Sequence, residues 1–114
     1  MRVFNVTFDA GDAAALARFW SEVVERPVAD GADEGFARIP GQDGEPNLLF
    51  LQVPEGRAGK NRLHLDLDAP SLDHARARLE GLGATLLGER EAHGLRWCTF
   101  QDPEGNEFCV GSHG

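Results

Sequence analysis

The stretch NRLHLDLDAPSLDHARARLEGLGA, Asn61 to Ala84, decides the fold. Its first half alternates. Leu63, Leu65 and Leu67 point one way and Arg62, His64 and Asp66 the other, because successive strand side chains face opposite sides. Ser71 then reads as an N-cap, LDHARARLEGLG as a helix, and Gly81 or Gly83 as its end. The same opening occurs earlier in the chain. FNVTFDA (Phe4–Ala10) lies over LHLDLDA (Leu63–Ala69), so that Asn5 falls on His64, Thr7 on Asp66 and Asp9 on Asp68.

Working outward, Asp12 sits near the N-cap of a first helix whose apolar face is Ala15, Leu16, Phe19, Trp20 and Val23, and which Pro27 stops. GFARIP (Gly35–Pro40) and NLLFLQVP (Asn47–Pro54) read as strands joined by the turn-rich GQDGE. EGRAGKN, residues 55–61, reads as a linker. After the second helix come ATLLGEREA, LRWCTFQ and EFCVG, separated by HG and DPEGN. LQV (Leu51–Val53) lies over FCV (Phe108–Val110), placing Gln52 on Cys109. The order is β-α-β-β-β twice. This predicts an α+β fold: one domain, 1–114, of two modules at about 1–54 and 62–114.

The alternation also assigns faces. Phe4, Val6 and Phe8, with Leu63, Leu65 and Leu67, are expected under the helices. Asn5, Thr7, Arg62, His64 and Asp66 are expected on the opposite, concave face. In the last strand Phe108 and Val110 go inward, and Glu107 and Cys109 go to the concave side. In NLLFLQVP the helix face is assigned to Leu49, Leu51 and Val53, leaving Leu48, Phe50 and Gln52 concave. Such a part-apolar, part-polar concavity suits a small-molecule ligand.

Composition excludes several functions. The chain of 114 residues has 11 Lys and Arg against 19 Asp and Glu, a net charge of −8. Nucleic acids and anionic membranes call for basic patches, so neither is an expected partner. No stretch approaches the roughly 20 apolar residues of a membrane span. The N-terminus, MRVFNVTFDA, shows no secretory signal, and a cytoplasmic location is the expectation. Two cysteines then read as thiols rather than a disulfide.

With FDAGDAAALARFWSEVVERPV, NRLHLDLDAPSLDHARARLEGLGA and FQDPEGNEFCV in this order, the chain resembles the vicinal oxygen chelate superfamily, the glyoxalase, bleomycin-resistance and dioxygenase group, and within it the glyoxalase-like domains. The resemblance implies paired βαβββ modules, each an incomplete barrel around a cleft, and a homodimer. In metal-dependent members the ligands come from the first and last strands of each module. Here those positions fall on Asn5, Gln52, His64 and Cys109, where His, Gln or Glu and two Glu are usual. Two neutral amides, one imidazole and one thiol form a poorer donor set than imidazoles with carboxylates. No cofactor is therefore expected, and a divalent metal is the minor alternative.

The candidate residues each carry two readings. His64 is a ligand or general acid/base, or a polar side chain satisfied by Asp66 or Glu107. Asp66 orients His64, or pairs with Arg62 or Arg96. Glu107 completes a three-donor set with His64 and Cys109, or is a rim carboxylate beside DPEGN. His74, His93 and His113 read as surface residues. If Gln101 pairs with Asn106, Cys98 lies opposite Cys109, and both serve as small apolar fillers. Phe36, Phe50 and Phe100 are expected to line the cleft beside Asn5 and Thr7, with Arg38 and Arg96 holding an anionic group. Trp20 and Trp97 are assigned to the core. Three functions compete: a small-molecule-binding protein without the usual metal, a metal-dependent lyase or dioxygenase, and a non-catalytic structural or regulatory module.

Overall fold

The computed structural model describes residues 2–56, 59 and 61–112; His113 and three residues of the expected linker, Arg57, Ala58 and Lys60, lie outside them. The fold is α+β, and the chain divides into two compact units, Met1–Gly56 and Arg57–Gly114.

The first unit runs β1 (Asn5–Ala10), α1 (Ala13–Val24), β2 (Phe36–Ile39) and β3 (Asn47–Gln52). Its sheet has the order β1-β3-β2, with β1 parallel and β2 antiparallel to β3. Asp12 caps α1 by accepting from the Ala15 amide at 3.1 Å, and Glu25 closes it in the left-handed conformation, φ 55°. The buried face of α1 is Ala13, Leu16, Ala17, Phe19 and Trp20. Trp20 packs on Phe8 (5.1 Å between centroids), and Phe8 stacks on Phe50 (4.9 Å).

The three strands read in this unit, VFNVTFDA, GFARIP and NLLFLQVP, are β1, β2 and β3. Segment 27–34 runs along β2 and bonds to it through Ala29 N–H to Arg38 O and Asp33 N–H to Phe36 O. The carbonyls of Asp33 and Glu34 instead accept from Ala14 and Ala13, the open N–H groups at the start of α1. A segment bent to serve the helix, with Pro27 and a left-handed Gly31, does not complete a ladder. The GQDGE turn comes out as expected. Asp43 and Gly44 both have positive φ, and a side chain on Gly41 would strike the Glu45 carbonyl at 2.2 Å.

The second unit runs β4 (Leu65–Asp68), α2 (Leu72–Leu82), β5 (Thr85–Ala92), β6 (Leu95–Gln101) and β7 (Glu107–Gly111), with sheet order β4-β7-β6-β5. Ser71 caps α2 through the His74 amide, and Gly83, at φ 106°, ends it rather than Gly81. The β6–β7 turn is built on Asp102. This buried carboxylate accepts from the amides of Glu104 and Asn106 at 2.9 Å and from the Asn106 side chain. Phe100 stacks on Phe108 in the core, beside Cys98 and Val110.

The strand faces require three corrections. Phe4 and Leu63 lie before their strands and are exposed, at 62% and 76%. In β3 the faces are the reverse of those expected: Leu48 and Phe50 are buried, whereas Leu51 is 40% exposed. The parallel register explains the reversal. Val6 pairs with Leu48 as Leu65 pairs with Phe108, so Leu49, not Gln52, occupies the place of Cys109. The sequence overlay was displaced by an odd number of residues, and an odd slip exchanges the faces. The β6–β7 register differs likewise. Gln101 pairs with Glu107, so Cys98 lies opposite Val110 and Thr99 opposite Cys109. Cys98 is a core filler, but Cys109 is half-buried on the other face, and both are free thiols.

These faces have measurable consequences. In urea denaturation Phe50→Ala should cost about 3–5 kcal/mol and Leu51→Ala under about 1 kcal/mol; the opposite ranking contradicts the register. Burial, and then Glu89, push the Cys98 thiol up from its ordinary value. Raised in the folded state, it supports stability fully below the unfolded thiol value, and that support is lost as pH rises. The unfolding midpoint should therefore fall above about pH 8.5, and fall less in Cys98→Ala. A thiol reagent should titrate Cys109 in the native protein and Cys98 only after denaturation.

Candidate functional site

On the face of the second sheet away from its core, β4, β6 and β7 bring together side chains that the chain keeps well apart. The parallel β4–β7 register sets Asp66 against Cys109, and the antiparallel β6–β7 register sets Thr99 against Cys109. His64, two residues before Asp66, falls on the same face. Its Nε2 lies 3.3 Å from Asp66 Oδ1. One ligating atom each from His64, Asp66 and Cys109 lies within 4.8 Å of the others. Thr99 Oγ1 approaches Cys109 Sγ to 3.4 Å. His64 and Asp66 are exposed, and Cys109 is half-buried at the floor.

These groups line a cavity of about 620 Å³, within the range of small-molecule pockets. Trp97 and Leu87 give it apolar surface, and Arg90 and Glu107 give it a charge of each sign. A bulge in β5 between Leu86 and Gly88 re-aims that strand, so that Leu87, Gly88 and Arg90 all reach the cavity. Glu107 also anchors the Asn61 side chain through its backbone N–H, at 3.5 Å.

Other candidates are placed elsewhere. Phe50 and Phe100, expected to line a cleft, are fully buried. Arg96 lies on the helix side of β6, where it pairs with Glu89 and approaches Asp73 of α2 at 3.9 Å. That hydrogen bond and charge hold Glu89's carboxyl below the usual carboxylate range and raise Arg96. Arg96 is thus not the partner of Asp66, which has His64. Asp66, rather than Glu107, completes the three-donor set with His64 and Cys109. Asn5, Thr7, Phe36 and Arg38 are exposed residues of the first unit. Trp97, assigned to the core, is half-buried at the cavity. With Thr99, Leu87 and Arg90 it is a site residue that the sequence reading missed. For Trp97 and Thr99 the signal was available: both alternate with Cys98 and Phe100, which are core.

The donor types at the four positions implied by the resemblance do not fit a shared divalent metal. Asn5 Oδ1 accepts from Asn47 Nδ2 at 3.0 Å, and Gln52 Nε2 donates to the Gly11 carbonyl at 2.9 Å. Leu49, at the structural counterpart of Cys109, has no donor. Among the described residues, only His64, Asp66 and Cys109 form a group of three ligating types, all from the second unit and of kinds zinc accepts.

Comparison with known proteins agrees with the fold. The chain is similar in structure to a glyoxalase/bleomycin resistance protein/dioxygenase family enzyme from Burkholderia phytofirmans PsJN, at 18% identity over 95% of each chain and a TM-score of 0.78. It is also similar to a possible glyoxalase from Bacillus cereus (18% identity, 97% of this chain and 98% of that one, TM-score 0.75). A third similar structure is lactoylglutathione lyase from Agrobacterium tumefaciens (18%, 97% and 92%, TM-score 0.70). No curated protein matches the chain. The sequence profile of the glyoxalase-like domain matches residues 5–111, nearly the whole length, and the chain belongs to that family, within the vicinal oxygen chelate superfamily.

Proposed function

We propose that the chain binds a small, partly apolar molecule in the cavity of its second unit, without the divalent metal of its chelating relatives. The carrying observation is the contrast between the cavity and the donors. A cavity of about 620 Å³ is present, with Trp97 and Leu87 for apolar contact and polar groups at its floor and rim. The first unit, by contrast, has an amide already bonded at Asn5, an amide turned to a backbone carbonyl at Gln52, and Leu49 opposite Thr7 in the register. Metal chemistry in such a family depends on donors that are charged or readily made so. Binding depends on shape, apolar area and a few fixed polar groups, and those are what the second unit offers.

The role of each residue follows from its chemistry. Trp97 supplies a flat apolar surface on which a ring can stack. Arg90 can pair with an anionic substituent, and Thr99 can donate or accept one hydrogen bond. Asp66 restricts the His64 ring, which can then donate to, or take a proton from, a bound molecule.

A panel of small cyclic ketones, phenols and carboxylates, read by tryptophan fluorescence, should contain ligands that quench Trp97; Trp97→Ala should weaken them about tenfold or more, or about 1.4 kcal/mol. No quenching by any compound, or quenching that survives in Trp97→Ala, contradicts the assignment. Elemental analysis of protein made in metal-supplemented medium should find no stoichiometric divalent metal. One ion per chain, lost in His64→Ala, would instead establish the three-donor set as a metal centre.

A further inference from the structure

Resting on that reading of the cavity, we infer that its ligands include soft carbon electrophiles, and that Cys109 captures them covalently with His64 as the base. Cys109 is not isolated. Its thiol belongs to a group in which an imidazole and a carboxylate lie within 4.8 Å, with His64 Nε2 3.3 Å from Asp66 Oδ1. A thiol, a neighbouring base and a group that orients the base are the parts of an activated nucleophile. Any separation up to 4.8 Å can be spanned directly or through one water, and such hydrogen bonds commonly shorten when a ligand is bound. The Thr99 hydroxyl, 3.4 Å from the sulfur, can donate to it as negative charge develops there.

The charged groups around the thiol come from several elements. Asp66 on β4 and Glu107 on β7 are carboxylates, Arg90 on β5 is a cation, and β6 contributes only the neutral Thr99 and Trp97. The second cysteine gives the internal contrast. Cys98 is fully buried on the opposite face of the sheet, with no path to a ligand in the cavity.

The reaction that fits is conjugate addition to an α,β-unsaturated carbonyl compound. The S–H bond of Cys109 breaks and its proton passes to His64. The sulfur bonds to the β-carbon as the C=C pair moves toward the carbonyl oxygen. The imidazolium proton then returns to the α-carbon. The adduct contains every atom of the thiol and the enone, and no oxidant, reductant or metal takes part. Trp97 and Leu87 would receive the apolar body of the enone, and this is why the cavity favours such compounds over small hydrophilic electrophiles.

The test uses 2-cyclohexenone and its saturated counterpart cyclohexanone on the full chain at pH 7. Intact mass and peptide mapping should show one enone on Cys109 and none on Cys98, forming at least about ten times faster than with glutathione under the same conditions. His64→Ala should lower that rate about tenfold or more; His64 is exposed, so its replacement leaves the core intact. Cyclohexanone should quench Trp97 reversibly and slow the enone reaction. A Cys109 rate no greater than that of glutathione overturns the inference without recourse to any variant, and so does an unchanged rate in His64→Ala. If cyclohexanone still binds in that case, the cavity is a reversible binding site alone. If neither compound quenches Trp97 and the thiol is unreactive, the reading of the cavity falls with it.

Discussion

Asp66 lies directly across a parallel ladder from Cys109, and most of the site follows from that pairing. Parallel pairing of the first and last strands needs a crossover connection, here α2 with β5 and β6. Once β4 and β7 are in register, alternation sends Leu65, Leu67, Phe108 and Val110 to one side of the sheet. His64, Asp66, Glu107 and Cys109 go to the other. The apolar set is anchored by Phe108, stacked on Phe100 and almost wholly buried. A one-residue slip would expose that core, so the packing of Phe108 fixes the position of Cys109.

The first unit uses the same pairing to a different end. β1 and β3 are parallel, and Phe8, Phe50 and Trp20 form the aromatic centre of its core. Its outer face presents Asn5, Thr7 and Leu49 where the second unit has His64, Asp66 and Cys109. Two units of like topology thus differ in chemistry at three matched positions. The ionisable and nucleophilic groups are concentrated in one of them. Metal chelation of the kind the family resemblance implies depends on donors from both units, whereas the residues that line the cavity all belong to the second.

Much of this was legible in the sequence. The duplicated strand–helix opening, both N-caps, the closing DPEGN turn and the inward side of β7 were all set by local patterns that packing then reinforced. What was not legible depended on register. NLLFLQVP is apolar on both faces, so alternation alone could not say whether Leu48 and Phe50 or Leu49 and Leu51 pointed inward; the parallel contact with Val6 and Phe8 decided it. The length of the DPEGN turn moved Cys98 away from Cys109, a difference of one residue. The β5 bulge, which brings Leu87 and Arg90 to the cavity, has no sequence signature beyond Gly88. The carbonyls of Asp33 and Glu34, which accept from the first amides of α1, answer a tertiary demand that no local pattern in the segment after Pro27 announces.

The central claim is that the working surface of this glyoxalase-like domain is the outer face of β4, β6 and β7, centred on Cys109. Amide chemical-shift mapping during titration with a ligand that quenches Trp97 tests it most directly. The account predicts perturbations concentrated at Asp66, Trp97, Thr99, Glu107 and Cys109, with β1, β2 and β3 little changed. Perturbations centred on Asn5, Thr7 and Arg38, with β4 and β7 silent, would contradict it.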